Sequence, residues 1–280
     1  MSIHQMNIYG KTLLEVSIER LKAFEPKEGY YLAFSGGKDS VVIKALADMA
    51  GVKYDAHYNI TSVDPPELVQ FIKEHHPDVS LDKKRYPDDF KIEKLRGKQI
   101  TMWNLIEVHK IPPTRLMRYC CQYLKESTGE GRFVVTGVRK AESARKKKQR
   151  AGLELSEKKS HRMDLFDPDQ PTEEMMYHCQ YYARRILNPI IDWTEQEVWE
   201  FIHEFNIPYC KLYDQGFKRL GCIGCPMGGK HQLEEFERYP KFKHLYLKAF
   251  ERMIQRRTEE GKKDEWKTAE EVMKWWTQED

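Results

Sequence analysis

No stretch of the 280-residue sequence approaches the ~20 consecutive apolar residues that a membrane-spanning helix needs. The opening residues, Met1-Ser2-Ile3-His4-Gln5, have neither the basic start nor the apolar core of a secretory signal. The cytoplasm is therefore the expected location, and no membrane is expected as a partner. An excess of one charge is also lacking: 47 Lys and Arg stand against 44 Asp and Glu, a formal net charge of +3. Contact with nucleic acid would have to come from a local patch rather than from the field of the whole chain. Cysteine is sparse, with 6 residues, and in a cytoplasmic chain such thiols are ligands or nucleophiles more readily than disulfides. There is no internal repeat and no low-complexity tract. Hydrophobic residues at 40% and charged residues at 32% are ordinary proportions for a globular chain.

What is present is organised around Tyr30-Tyr31-Leu32-Ala33-Phe34-Ser35-Gly36-Gly37-Lys38-Asp39-Ser40. The aromatic, apolar start predicts a short buried strand that breaks at Gly36-Gly37. Val41-Val42-Ile43-Lys44-Ala45-Leu46-Ala47 then has the apolar spacing of a helix packed on a sheet. A strand, a glycine turn and a helix N-terminus together make an anion site. The turn lets backbone N–H groups face inward, and the first helical turn adds unpaired donors and the positive end of the dipole. Ser35 and Ser40 add hydroxyls, and Asp39 can cap the turn or orient a bound group. A bare Gly-Gly turn would be an ordinary connection; the full Ser-Gly-Gly-Lys-Asp-Ser string favours phosphate or sulfate binding.

The four-residue spacer and Gly-Lys-Ser/Thr ending of the kinase and GTPase loop are missing. The string resembles instead the PP-loop of the adenine-nucleotide pyrophosphatase superfamily and, within it, the phosphoadenosine phosphosulfate reductase family. That resemblance implies an adenosine nucleotide whose phosphates, or phosphate plus sulfate, lie on Ser35, Gly36, Gly37, Lys38, Asp39 and Ser40.

Taken in order, residues 11–24 place Leu13, Leu14, Ile18, Leu21 and Phe24 on one face of an amphipathic helix. Gly51 is a C-cap, Tyr54 to Ile60 a second strand, and Glu67 to about His75 a helix behind Pro65-Pro66. Asp64 then sits at the carboxyl edge of a strand beside the loop strand, where open α/β sheets bind ligands. It would accept from a ribose hydroxyl or a metal, or serve only as a helix cap. Val79 to Leu81 is a third strand, Thr101 to His109 a helix, and Arg132 to Val138 a buried strand ending at Gly137. Strands alternating with helices predict a doubly wound, mostly parallel α/β sheet. Arg185 through Asn188-Pro189-Ile190 to Trp193-Thr194 is a strand running to a turn, and Thr194 with Glu197 forms a capping box. That passage again resembles the reductase family, as scaffold. Residues 167–176 read as an exposed insertion. Residues 231–276 carry periodic aromatics and read as one or two helices broken at Gly261-Lys262-Lys263-Asp264. Trp266, Trp275 and Trp276 either pack back or form an oligomer surface. The domain expectation is an α/β domain over residues 1–228, of the adenine nucleotide alpha-hydrolase-like type, and a helical extension over 229–280.

After the Arg132–Val138 strand comes Gly137-Val138-Arg139-Lys140-Ala141-Glu142-Ser143-Ala144-Arg145. Arginine offers a planar fork to phosphate or sulfate oxygens, and the segment resembles the family's second nucleotide-side motif. It assigns anion contact to Arg139 and Arg145 beside Gly137, with Glu142 orienting one of the arginines. The basic run 145–150, with Lys158, Lys159 and Arg162 behind it, would track a nucleic-acid backbone or a polyanionic partner, or be a solvated loop closing over the nucleotide.

Four cysteines form two pairs, Cys120-Cys121 and Cys222-Ile223-Gly224-Cys225. A Cys-x-x-Cys in a Gly- and Pro-rich turn is a half-site for zinc or iron–sulfur, and equally a redox dithiol. The adjacent pair alone would be two buried small residues. Together they resemble the cysteines that hold a 4Fe–4S cluster in adenylylsulfate reductases, which implies Cys120, Cys121, Cys222 and Cys225 as metal ligands, with zinc the lesser choice. Cys179 and Cys210 read as structural. Those reductases attack sulfur with a late cysteine in a Cys-Gly-x-His setting, and here no cysteine follows Cys225. The leading expectation is therefore a PP-loop enzyme that adenylates a substrate with ATP in support of sulfur transfer, similar to the iron–sulfur PP-loop protein of DNA phosphorothioation and the tRNA thiolases. In that scheme Lys38, Asp39 and Arg139 act at the reacting phosphate. Mg²⁺ bridges phosphates, with Asp39 or Asp64 as its ligand, and residues 139–162 meet the nucleic acid. A sulfur-donor or partner protein and a homo-oligomer are further partners of this reading. The rivals are a true sulfonucleotide reductase and a nucleotide-binding regulator without turnover.

Overall fold

The computed structural model describes residues 3–4, 6, 9–126, 129, 131–142, 153–156, 162–164, 184–229, 231–261 and 266–278. The strand-and-helix alternation is realised as a sheet in the order β3-β2-β1-β4-β7-β5-β6. Its strands are β1 (Tyr30–Ala33), β2 (Tyr54–Asn59), β3 (Ser80–Asp82), β4 (Phe133–Val135), β5 (Leu153–Ser156), β6 (Arg162–Asp164) and β7 (Arg184–Leu187). β1 runs parallel to β2 with Leu32 opposite Ala56, parallel to β4 with Leu32 opposite Val135, and β4 runs parallel to β7 with Val134 opposite Ile186. Tyr30, Leu32 and Val134 are buried, as side chains in the middle of a parallel sheet must be. The antiparallel β5–β6 hairpin against β7 was not expected from the sequence.

The chain steps outward from β1 to β2 and β3 and then returns to β4 on the other flank of β1. The strand order thus reverses between β1 and β4, and the crevice outside their carboxyl ends is where an open α/β sheet binds ligands.

Packing divides the chain into two compact units. The first comprises residues 1–58, 67–80 and 129–220; the second comprises 59–66, 81–128 and 221–280. The C-terminal helices are grouped with the two earlier segments 59–66 and 81–128. In the first unit, α1 (Leu13–Ala23) starts at a Thr12 capping box with Glu15, α2 (Lys38–Ala50) ends at Gly51, and α3 (Pro66–His75) follows Pro65. α6 (Glu195–Glu204) begins with the expected Thr194–Glu197 box. Trp193, Val198, Phe201 and Ile202 are buried. Trp193 Nε1 donates to the buried Ser17 hydroxyl at 3.0 Å.

In the second unit, α4 (Met102–His109) is capped by Thr101 and α5 (Tyr119–Cys121) runs into a wider π-type turn, Gln122–Glu126. The C-terminal region forms three helices, α7 (His231–Arg238), α8 (Pro240–Glu259) and α9 (Ala269–Thr277). One or two were expected; the extra break falls at Pro240, which lacks an N–H and suits a first helical position. Trp276 packs against Tyr246 and Phe250 with ring centroids at 4.8 and 5.5 Å, whereas Trp275 is exposed. Residues 167–176 lie outside the described residues. Among the described residues no helix is long and apolar enough to cross a membrane.

Candidate functional site

In the first unit, Ser35-Gly36-Gly37 leaves the carboxyl end of β1 and enters α2 at Lys38. Gly36 holds φ +72°, and a β-carbon there would lie 2.6 Å from Leu68 Cδ1 and 2.9 Å from Ile72 Cδ1. The α3 side chains therefore press the loop into a left-handed turn that only glycine accommodates. Gly37 is the N-cap of α2 and supplies no capping side chain. The loop is braced from within: the Ser35 hydroxyl accepts from the Gly37 N–H at 3.3 Å, and the Ser40 hydroxyl donates to the Gly37 carbonyl at 2.8 Å. Ser35 Oγ also donates to Ser40 Oγ at 3.2 Å.

The second loop leaves the adjacent strand β4 as Thr136-Gly137-Val138-Arg139. Gly137 passes against Asp39, where a β-carbon would come within 3.0 Å of the Asp39 backbone. Arg139, buried at 2% exposure, donates from Nε to Asp39 Oδ1 at 2.6 Å. The loop after β7 supports it: Thr136 N–H donates to the Leu187 carbonyl at 2.9 Å and Lys140 N–H to the Ile191 carbonyl at 2.8 Å. Leu187 and Ile191, which flank Asn188-Pro189-Ile190, thus hold the backbone on either side of Arg139.

Lys38 is buried. Its ammonium lies 3.6 Å from Asp39 Oδ2, 3.7 Å from Glu195 Oε1 and 3.4 Å from the Lys218 carbonyl, and 5.6 Å from the centre of the Tyr213 ring. The Tyr213 hydroxyl accepts from the Lys38 N–H at 2.9 Å. Burial pushes the Tyr213 phenol pKa up, so it is a neutral hydroxyl at the helix start. Sequence reasoning missed Tyr213 and Glu195: Tyr213 sits in a segment without a local motif, and the Thr194–Glu197 capping box gives Glu195 no role of its own.

The first unit therefore brings together Ser35, Gly36, Gly37, Lys38, Asp39, Ser40, Gly137 and Arg139. Glu142 closes a single 3₁₀ turn, Lys140–Glu142, and its side chain lies outside the described residues, as do Arg145, Cys179 and the basic residues 145–150, 158 and 159. The buried Cys210 has its thiol pKa raised by burial.

The second unit holds the other expected residues. Both Asp64 carboxylate oxygens accept from Thr61, Oδ2 from its N–H at 2.8 Å and Oδ1 from its hydroxyl at 2.6 Å. Cys222 donates from Sγ to the same Thr61 hydroxyl at 3.5 Å, and Ile223 N–H donates to the Val63 carbonyl at 2.7 Å. Cys120, Cys121, Cys222 and Cys225 are free thiols within one another's fields. The Cys120 pKa is pushed up by its hydrogen bond with Cys121, by burial and by the neighbouring Cys121, Cys222 and Cys225. Cys121 is pulled the other way by the Cys120 hydrogen bond and by Arg118, whose Nη2 donates to its sulfur at 3.4 Å. Cys222 lies close enough to Lys125 to raise its pKa, through charge and through a hydrogen bond between them. Among the described residues no three His, Cys, Asp or Glu side chains converge as a ready-made metal shell. In chemistry the set fits an anionic thiolate cluster, with four free thiols and two cationic donors to sulfur in one unit. Arg118 and Lys125 were not singled out from the sequence.

A family model for the phosphoadenosine phosphosulfate reductase domain matches residues 29–227. Two uncharacterized proteins of Methanocaldococcus jannaschii are 25% and 28% identical, covering 77% and 79% of this chain and 40% and 46% of theirs. The chain thus spans less than half the length of these relatives. The adenosine 5'-phosphosulfate reductase of Staphylococcus haemolyticus is 24% identical over 65% of this chain and 61% of that protein. Among solved structures, a phosphoadenylyl-sulfate reductase from Candida auris in a phosphate complex aligns at a TM-score of 0.46 with 17% identity, over 79% of this chain and 98% of that one.

Proposed function

The chain belongs to the phosphoadenosine phosphosulfate reductase domain family, and from that premise we propose that it is a PP-loop enzyme binding ATP at Ser35–Ser40 and transferring its adenylyl group in support of sulfur transfer. One observation carries the reading. Two loops on the carboxyl ends of adjacent strands are joined, Asp39 to Arg139, at the 2.6 Å distance of a charge-assisted hydrogen bond, beside the N-terminus of α2. Phosphate oxygens would take the backbone donors and dipole of that helix. Arg139, held rigid by Asp39, would meet the charge that develops as an acceptor oxygen attacks the α-phosphorus and the bond to pyrophosphate breaks. Lys38 and Tyr213 hold the helix start in place.

Asp39 does not suit Mg²⁺, since Arg139 and Lys38 already face its two oxygens. Asp64 accepts from Thr61 at both oxygens, and each keeps a further lone pair for a ribose hydroxyl or a cation. Mg²⁺ would come with the nucleotide phosphates. Cys120, Cys121, Cys222 and Cys225 would hold the iron–sulfur cluster, which when bound supplies a site that carries sulfur or tunes the local field. The basic run 145–150 would meet a nucleic-acid acceptor, which a salt-dependent binding titration tests.

The sulfonucleotide reductase reading is supported by the named reductase relatives. Its nucleophile would have to be Cys179, Cys210 or a cysteine of another chain, and Cys210 is buried with its thiol disfavoured as a thiolate. The deciding experiment is a paired product assay on anaerobically purified protein. Pyrophosphate release from ATP supports the adenylyl-transfer reading. Sulfite release from adenylyl sulfate with a thiol reductant replaces it with the reductase. Nucleotide binding with neither product leaves a regulator.

A further inference from the structure

The family match ends at residue 227, and the three helices beyond it are not accounted for by nucleotide chemistry. Their polar side chains converge on the backbone of the Cys222–Cys225 turn. Gly224 N–H donates to Glu235 Oε2 at 2.7 Å, and the buried Gln232 donates from Nε2 to the Gly224 carbonyl at 3.1 Å. The fully buried Tyr246 donates its hydroxyl to the Ile223 carbonyl at 3.0 Å. Gly224 itself holds φ +70°, and a β-carbon there would lie 2.5 Å from Phe236 Cζ and 3.1 Å from Tyr246 Cε2. The turn between the two cysteines is therefore gripped at one N–H and two carbonyls while lying flat on α7 and α8.

The same helices reach the loop that leads to the other pair. Arg257 Nη1 donates to the Lys110 carbonyl at 2.9 Å, and Trp276 Nε1 donates to the Pro113 carbonyl at 2.6 Å. The loop then folds back, with the Tyr119 hydroxyl donating to the Ile111 carbonyl at 2.7 Å immediately before Cys120. Arg115 closes the circuit, its Nε donating to the Pro226 carbonyl at 3.0 Å.

We propose that α7, α8 and α9 are a clamp that fixes the Cys222–Cys225 turn and the loop preceding Cys120-Cys121 relative to one another, with Gln232, Glu235 and Tyr246 as positioning residues of a metal site. The proposal rests on the reading that the four cysteines ligate a metal. An outer shell that orients ligands by backbone hydrogen bonds changes metal retention without touching the metal.

The test uses the full chain as wild type, Glu235→Ala, Glu235→Gln and Tyr246→Phe. Each is reconstituted anaerobically with ferrous iron and sulfide, and the rate of iron loss to a chelator is measured. In parallel, amide exchange at Ile223 and Gly224 is followed in the metal-free chain, with amides of α2 as the internal control and the thermal midpoint as the check on folding. Glu235→Ala and Tyr246→Phe should lose iron about tenfold faster and exchange faster at the turn, with the α2 amides unchanged. Glu235→Gln should restore both readouts, because its carbonyl oxygen accepts the same Gly224 N–H. Wild-type iron retention and wild-type turn exchange in Glu235→Ala and Tyr246→Phe would overturn the clamp. Should the wild type take up no iron, the cluster reading fails, and turn exchange alone decides for or against the clamp.

Discussion

Gly137 and Asp39 touch backbone to backbone: a β-carbon at residue 137 would stand 3.0 Å from the Asp39 carbonyl carbon, carbonyl oxygen and β-carbon alike. Two loops from neighbouring strands meet here, and neither can retreat, since α2 continues from one and the turn at Lys140 from the other. Gly137→Ala must therefore separate the loops by a few tenths of an ångström. Overpacking of this kind costs about 1–3 kcal/mol, read as a lower denaturant midpoint. The Arg139 guanidinium moves with its loop, so ATP affinity by calorimetry should fall by at least about tenfold, the scale of a misplaced charge-assisted contact. An alanine variant that binds ATP as the wild type does would mean the contact is packing alone.

Arg139 and Asp39 form a buried pair, and removing one partner leaves the other charge desolvated. Asp39→Asn should destabilise the fold by about 3–5 kcal/mol, because the charge it leaves behind, Arg139, is only 2% exposed. Arg139→Gln should do less, because the Asp39 carboxylate it leaves keeps 20% side-chain exposure and has the Lys38 ammonium at 3.6 Å. The double variant Asp39→Asn with Arg139→Gln should recover much of the stability, since both charges are gone, yet bind no ATP. Chemical denaturation beside calorimetry separates the two effects.

How far the sequence discloses this arrangement depends on the range of the interactions. Ser35–Ser40 and the Thr194–Glu197 box are legible because loop, cap and helix are consecutive residues whose chemistry is local. The Arg139 contact is legible only as an arginine after a strand; that it meets Asp39 is set by β4 pairing with β1. Tyr213 meets the Lys38 N–H across 175 positions, and nothing in Tyr213-Asp214-Gln215-Gly216 announces it. The β5–β6 hairpin escapes because its four- and three-residue strands are too short for their alternation to stand out among the flanking charges. The cysteine pairs are visible as spacing, but the helices that grip one of them look like a solvated charged tail until Gln232, Glu235 and Tyr246 are seen against the turn.

Ser17 offers a stability test remote from the loops. It is fully buried, accepts from Trp193 Nε1 at 3.0 Å, and donates towards the carbonyls of Leu13 at 2.9 Å and Pro189 at 3.0 Å. Ser17→Ala leaves the indole N–H buried without that acceptor, at a cost of about 1–3 kcal/mol. Pro189 keeps a donor in Arg20 Nη1 at 3.0 Å, so the loop after β7 should hold. The expected outcome is a lower thermal midpoint with ATP affinity retained; a fall in affinity would show that the Asn188–Asp192 loop had shifted with it.

His76 predicts how stability responds to acid. Its ring lies 4.8 Å from the Phe34 ring and 5.2 Å from that of Phe71, and Nε2 is buried with no hydrogen-bond partner among the described residues. Burial, reinforced by the Lys44 ammonium, lowers its pKa from 6.5 to about 4. Between those values the unfolded chain binds the proton and the folded chain does not, so stability rises with pH across the window. The contribution is complete above pH 6.5 and is lost as pH falls towards 4; its size is about 3 kcal/mol at most. His76→Phe keeps an aromatic ring between Phe34 and Phe71 and removes the titrating group. Its denaturation midpoint should therefore change less between pH 7 and pH 4.5 than that of the wild type. Equal slopes in the two chains would place the acid sensitivity on the carboxylates, first among them Asp55, whose pKa is lowered by its Arg132 partner.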